Sequence, residues 1–302
     1  MAFDYDVKSI DMELEKYLPK VEGLQKKVYL AMREAIAAGG KRIRPVFIWE
    51  SYKVFEAGEP DINKVLSYMA AIEMIHTASL IHDDLPCIDN DKLRRGKDTT
   101  WVAFGEDMAV LSGDAFFIEA FDVIASDMLN KFESETSSLP YIKAMLKANR
   151  ILANKAGMQG MIGGEVIDVE HTGKVIDKEV LDVIYSLKTS ALIEASMLIG
   201  AVLGMAGNGE LAIIEEAAKS VGMAFQIRDD ILDATSSTEI LGKTAGLDEK
   251  NNKTNYVSLY GLDKAKEECW RLSREAKDLL LSLDRDTTTL RKIIEGLIDR
   301  ES

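Results

Sequence analysis

The chain is short of the residues that commit a sequence to several common architectures. Its two cysteines, Cys87 and Cys269, lie far apart and match neither a disulfide framework nor a thiolate metal motif. That usage fits a reducing, cytosolic setting. Five prolines and the near absence of period-two apolar alternation leave little room for strands. The fold expected is therefore all-α, a helical bundle built as a single domain over residues 1–302. Long hydrophobic runs are missing too. The longest uncharged one, Ala195 to Asn208, is broken by glycines and too short to span a bilayer, so it reads as a buried helix. Met1 to Asp6 lack the basic segment and apolar core of a signal peptide. Positive charge is also scarce: 37 Lys and Arg stand against 51 Asp and Glu, a net charge of −14. Such a balance argues against nucleic acid as a partner, and any anion must be bound locally.

What is present concentrates between residues 61 and 100. Pro60 and Asp61 read as a helix entry with Asp61 as N-cap. Val65, Met69, Ile72, His76, Ser79 and Asp83 then recur at three- and four-residue steps and share one helix face. That face is apolar until its mouth, where Asp83, Asp84, Asp89 and Asp91 crowd around Pro86, which cannot continue a helix. Neighbouring carboxylates disfavour one another's charge unless a cation sits among them. Oxygen donors without cysteine or histidine suit a hard ion such as Mg²⁺, which completes its shell with water and phosphate. Arg94 and Arg95 follow at once, and guanidinium forks match diphosphate oxygens. The plain alternative is a solvated acidic loop.

A second acidic motif makes that alternative harder to hold. Asp229, Asp230 and Asp233 end another apolar helix, with Asp229 and Asp233 on one face and Asp230 on its flank. Elsewhere, Gly39 and Gly40 stop a helix over residues 7–38 that is interrupted at Pro19, and Pro45 opens the next, leaving Lys41, Arg42 and Arg44 on a tether. Helices are expected over 106–130 and 139–162, with Gly157, Gly160, Gly163 and Gly164 marking close packing or a break. Lys188 and Thr189 sit amid apolar neighbours in 177–206, residues 210–235 carry the second acidic helix, 236–255 reads as a polar flap, and 262–302 as a charged helical tail.

Taken together, Gly39 to Pro45, Glu73 to Thr77, Asp83-Asp84-Asp89 with Leu93 to Gly96, Gly163 to Asp168, Lys188-Thr189, Asp229 to Asp233 and Gly242-Lys243 through Asp248 to Lys253 resemble, in order, the motifs of the short-chain trans-isoprenyl diphosphate synthases, the farnesyl and geranylgeranyl diphosphate synthase family. The likeness spans roughly residues 39 to 261. It implies head-to-tail (1′-4) condensation of isopentenyl diphosphate with an allylic diphosphate, in a homodimer, which the cysteine usage places in the cytoplasm. It assigns Asp83, Asp84, Asp89, Asp229, Asp230 and Asp233 to Mg²⁺, three ions with bound allylic diphosphate. Lys41, Arg44, His76 and Arg95 fall to the diphosphate of isopentenyl diphosphate. Arg94, Lys188, Lys243 and Lys253 fall to the departing diphosphate, while Thr189 and Gln226 stabilise the allylic cation.

The same likeness suggests a ruler for product length. Ser79 lies about 6 Å below Asp83 along the helix, with Ala78 further round at similar depth, and farnesyl synthases often carry a bulky aromatic at the position of Ala78. A small residue there leaves room for growth from C15 to C20, and Ala78→Tyr is expected to shorten the product. Four positions depart from the family pattern: Lys92 for aspartate, Asp98 for proline, Trp101 for histidine and Glu165 for glutamine. Glu165 either adds a metal ligand or repels diphosphate. A class I terpene cyclase would lack the Gly39–Pro45 tether and carry an Asn/Ser/Glu triad in place of Asp229–Asp233. A non-catalytic subunit would lose one aspartate motif. Leu241 to Thr244 is not a P-loop, because Ser237 stands where its first glycine belongs.

Overall fold

The helices form where apolar residues recur at helical spacing, and they end where glycine, proline or a tight turn takes over. The computed structural model describes residues 7–134, 137–235 and 254–300. In chain order the helices are α1 (Val7–Glu15), α2 (Lys26–Ala37), α3 (Ile43–Phe55), α4 (Leu66–Asp83), α5 (Thr100–Phe104), α6 (Glu106–Glu133), α7 (Leu139–Ala156), α8 (Met161–His171), α9 (Lys178–Ile184), α10 (Ala191–Leu203), α11 (Asn208–Thr235), α12 (Tyr256–Tyr260), α13 (Leu262–Leu281) and α14 (Thr288–Asp299). The fold is all-α. Among the described residues the strands are Leu93–Arg94 and Lys97–Asp98, an antiparallel ribbon too short to leave a period-two signal. Arg95 and Gly96 form its turn, both at positive φ, the pairing that a type I′ hairpin turn demands.

Helices α4 and α10 are apolar over most of their surface, as helices packed into a core are. Thirteen of the 18 residues of α4 are buried, and so is every residue of α10. Helix α4 packs on α6, while α10 runs between α3, α7 and α11. The span Lys178–Leu203 is long and apolar enough to cross a membrane, yet 78% of its most apolar window lies inside the protein, as in a core helix.

Several boundaries differ from expectation. Asp61 caps a 3₁₀ turn, Ile62–Lys64, and α4 begins at Leu66. The Asp61 carboxylate accepts from the Asn63 backbone N–H and side-chain amide, a tight local turn that competes with a full helical one. The helix expected over 139–162 is two helices. A Cβ on Gly160 would stand 2.0 Å from the Lys155 carbonyl oxygen, so only glycine fits where α7 hands over to α8. A π turn, Tyr185–Ser190, joins α9 to α10.

Candidate active site

Helix α4 delivers Asp83 and then stops. The Asp84 N–H reaches back to Leu80, and the chain curls so that the Asp89 N–H donates to the Asp83 carbonyl at 2.9 Å. Asn90 takes a left-handed conformation to complete the curl. This brings Asp83 and Asp89 to one rim of a cavity of about 810 Å³, and α11 supplies Asp229 and Asp233 to the same cavity. Below the carboxylates its wall turns apolar, with Phe117, Met161, Ile162, Leu181, Ile184 and Leu192. Polar mouth and greasy shaft are thus one space.

Lys188 projects from the π turn into this space. Its Nζ stands 2.5 Å from Glu165 and 2.7 Å from Asp168, both on α8. Burial disfavours its charge, but Asp83, Asp168 and Glu165 together hold it above the usual lysine range. Asp83 is pushed up to about 7, first by burial, with Glu165 and Asp89 adding to the rise and Lys188 opposing it. One oxygen of Glu165 is buried with no hydrogen-bond partner among the described residues. Beside Lys188, the Thr189 hydroxyl donates to the Gln226 side-chain oxygen at 2.6 Å.

The adjacent aspartates take different roles. Asp84 faces away from the main cavity, into a smaller one of about 350 Å³, where Arg94 grips it through Nε and Nη2 at 2.5 to 3.0 Å. Asp230 is buried; it accepts from the Tyr185 hydroxyl, from the Tyr256 N–H at 2.9 Å and from the Gln226 amide at 3.2 Å. Asp84 and Asp230 thus each engage protein partners in this structure, whereas Asp83, Asp89, Asp229 and Asp233 line the main cavity. Successive helix positions point about 100° apart, which is why these neighbouring carboxylates leave the helix in different directions.

On the opposite side, Gly40 lets the tether reach the ribbon. It adopts φ +151, and a Cβ there would lie 2.9 Å from the Arg95 guanidinium carbon. Arg44, His76 and Arg95 all line the main cavity, while Lys41 is an exposed residue on the tether. Burial draws Arg44 down to about 10, with Arg95 adding to the fall and Glu73 and Asp229 opposing it. Desolvation, then the charges of Arg300 and Arg95, draw Lys41 down to about 8 against the pull of Asp229. His76 is held well below its usual range by burial and by four nearby arginines, so its ring is neutral. Arg42 is spent on structure, bonding Glu73, Asp11 and the Ile36 carbonyl.

Ser79 lines the cavity as expected, but Ala78 is fully buried in the packed core behind it. Lys243, Lys253 and most of the polar flap over 236–255 lie outside the described residues. Arg300, just beyond α14, had no signal in the sequence. It ion-pairs with Asp229 at 2.5 Å and stacks 4.0 Å over the ring of Phe225, another cavity residue.

The polyprenyl synthetase family model matches residues 25–295. The chain belongs to the polyprenyl synthetase family. It is 40% identical over 280 residues to the heterodimeric geranylgeranyl pyrophosphate synthase large subunit 1, chloroplastic, of Arabidopsis thaliana, covering 92% of this chain and 72% of that one. It is 42% identical over 258 residues to the chloroplastic geranylgeranyl pyrophosphate synthase of Capsicum annuum, covering 85% and 67%. Among solved structures, a geranyltransferase from Helicobacter pylori complexed with magnesium and isoprenyl diphosphate aligns with a TM-score of 0.83 at 28% identity, covering 96% of this chain and 93% of the other. An FPP/GFPP synthase from Zymomonas mobilis aligns with a TM-score of 0.82 at 33% identity, covering 97% and 95%. As a member of the polyprenyl synthetases, the protein is a trans-prenyltransferase.

Proposed function

We propose that this polyprenyl synthetase condenses isopentenyl diphosphate head to tail (1′-4) with an allylic diphosphate, depends on Mg²⁺, and carries the product to geranylgeranyl diphosphate. The observation that carries this reading is the pairing of two acidic rims, Asp83 with Asp89 and Asp229 with Asp233, across one apolar cavity. The oxygen donors fit Mg²⁺. Among the described residues no three carboxylates, imidazoles or thiols converge enough to cage an ion, which suits a cation that takes one or two carboxylates and completes its shell with substrate phosphate and water. Asp83 with Asp89 would hold such ions at one rim, and Asp229 with Asp233 at the other. When bound there, Mg²⁺ supplies charge neutralisation to a departing diphosphate.

The chain's own residues do the remainder. Lys188, fully charged in its nest of carboxylates, steadies the allylic diphosphate at the shaft's mouth. Arg44, Arg95 and Lys41 receive the second diphosphate, and neutral His76 offers a hydrogen bond without adding charge. Thr189 and Gln226, hydrogen-bonded to each other on the cavity wall, offer oxygens that can stabilise the positive charge that develops as the C–O bond breaks. The departing diphosphate takes the final proton, so no protein base is needed. The apolar wall keeps water from the cation.

Growth to C20 is supported by the small Ser79 on the cavity wall and by the relatives' likeness. A homodimer is supported by exposed Leu111, Ile118, Leu129 and Phe132 on α6, an apolar face suited to a second copy. Cys87 and Cys269 are free thiols, in keeping with a reducing compartment such as the cytosol. Incubation with labelled isopentenyl diphosphate, each allylic primer and Mg²⁺, followed by sizing of the released alcohols, tests the reading. C20 product dependent on Mg²⁺ is expected. Absence of elongation with every primer would overturn it.

A further inference from the structure

Arg300 has no place in the reaction as derived so far, yet it is held more firmly than its position beyond the last helix requires. Its side chain is 6% exposed. Arg228 donates to its carbonyl at 3.1 Å, and its guanidinium lies over Phe225 and donates to the Asp229 carboxylate at 2.5 Å. Its Nε is buried with no hydrogen-bond partner among the described residues. That buried guanidinium thus contacts two residues of the cavity wall, Phe225 and Asp229, with one donor unused among the described residues. Asp229 lines the same cavity as Arg44 and Arg95, and Arg300 is near enough to Lys41 to oppose its charge.

We propose that Arg300 is an exchangeable counter-ion that links the two diphosphate sites. It neutralises Asp229 until a divalent cation takes that carboxylate, and the released guanidinium then turns to the side of Lys41, Arg44 and Arg95 and joins the anion site for the second diphosphate. The inference rests on the prenyltransferase reading above. The physical basis is competition. A dication of high charge density, aided by phosphate oxygens, outbids a guanidinium for one carboxylate. A guanidinium with free donors then finds its best partner in a diphosphate. Metal loading on one rim thereby prepares the opposite anion site, which imposes an order on substrate entry.

The test uses Mn²⁺ as probe on the full chain without substrate, with free Mn²⁺ read by electron paramagnetic resonance. R300M removes the competing charge and is expected to bind Mn²⁺ about three- to tenfold more tightly than wild type. R300K, which keeps the charge, stays close to wild type. At saturating metal and primer, R300M raises the KM for isopentenyl diphosphate by about tenfold. Mn²⁺ affinity that is unchanged or weaker in R300M would overturn the exchange. Tighter Mn²⁺ with an unchanged KM would overturn the link. Should R300M fail to fold, R300Q carries the same expectations. If the wild type elongates no primer, the fault lies with the proposed function, and the Mn²⁺ comparison still decides the exchange.

Discussion

Glu165 stands 2.5 Å from the Lys188 ammonium, which also lies 2.7 Å from Asp168. One ammonium thus answers to two carboxylates on α8, with the Asp83 carboxylate contributing further to its field. Any diphosphate that reaches Lys188 must compete with them. Glu165→Gln removes one competitor without changing shape. The pair is about one-fifth exposed at each end, so screening keeps the gain small: KM for the allylic diphosphate should fall about two- to fivefold. Steady-state kinetics at saturating isopentenyl diphosphate measure it. An unchanged or higher KM would show that Glu165 serves the metal rather than opposing the phosphate.

Product length should follow the cavity wall and not the core behind it. Ser79 and Phe117 line the shaft, whereas Ala78 has no exposed surface and belongs to the packed cluster between α4 and its neighbours. Ser79→Phe should place a ring in the shaft and shift the product towards C15. Phe117→Ala should open the shaft and allow products beyond C20. Ala78→Tyr should instead overpack the core, costing about 1–3 kcal/mol of stability. Chain-length analysis of the three variants, with denaturant melts, separates the two positions. Shortening by Ala78→Tyr with full stability would restore that residue as the ruler.

The parts that were legible in the sequence are those set by local rules. Gly39 and Gly40 before Pro45 announce the tether, and the apolar rows of α4 and α10 announce core helices, because each signal acts within a few residues. The i,i+4 spacing of Asp229 and Asp233 likewise places both on one cavity wall. Asp84 and Asp230 read the same as their neighbours locally, yet their roles depend on what arrives from afar. For Asp84 it is Arg94, swung in by the ribbon; for Asp230 it is Tyr185 and the Tyr256 N–H. The rotation between successive helix positions was the available hint. Arg300 had none, because its partner Asp229 is brought near only by the packing of α14 against α11.

On the proposed function, Lys41 should make binding of the second diphosphate pH-dependent. Its ammonium, held down to about 8 in the free enzyme, must be charged to receive phosphate, and a bound dianion raises its pKa. A group whose pKa rises on binding contributes fully below its free value and loses that contribution as pH climbs through it. KM for isopentenyl diphosphate should therefore be flat below about pH 8 and rise above it, by no more than about tenfold per unit. Lys41→Met should raise KM at pH 7 and remove this limb of the profile. A limb that persists in Lys41→Met would assign the titration to another group.

Two glycines decide where Lys188 and Thr189 point. A Cβ on Gly164 would lie 2.2 Å from the Lys188 backbone nitrogen, and one on Gly222 would lie 1.8 Å from the Ser190 hydroxyl and 2.6 Å from its Cα. Helices α8 and α11 thus close on the π turn from two sides, at distances that tolerate no side chain. A π turn is a rare and strained way to continue a helix, frequent at functional sites, and here the close approach of both helices keeps it in place. Gly164→Ala and Gly222→Ala should each cost about 1–3 kcal/mol of stability through overpacking. By displacing Lys188 they should lower kcat, by up to about 100-fold for a shift near 1 Å. Gly209, near the start of α11, faces open space and has ordinary helical φ; Gly209→Ala should leave kcat unchanged and add up to about 1 kcal/mol of stability. Denaturant unfolding and single-turnover kinetics on the three variants measure both effects, and a wild-type kcat in Gly164→Ala would free the π turn from the role given to it.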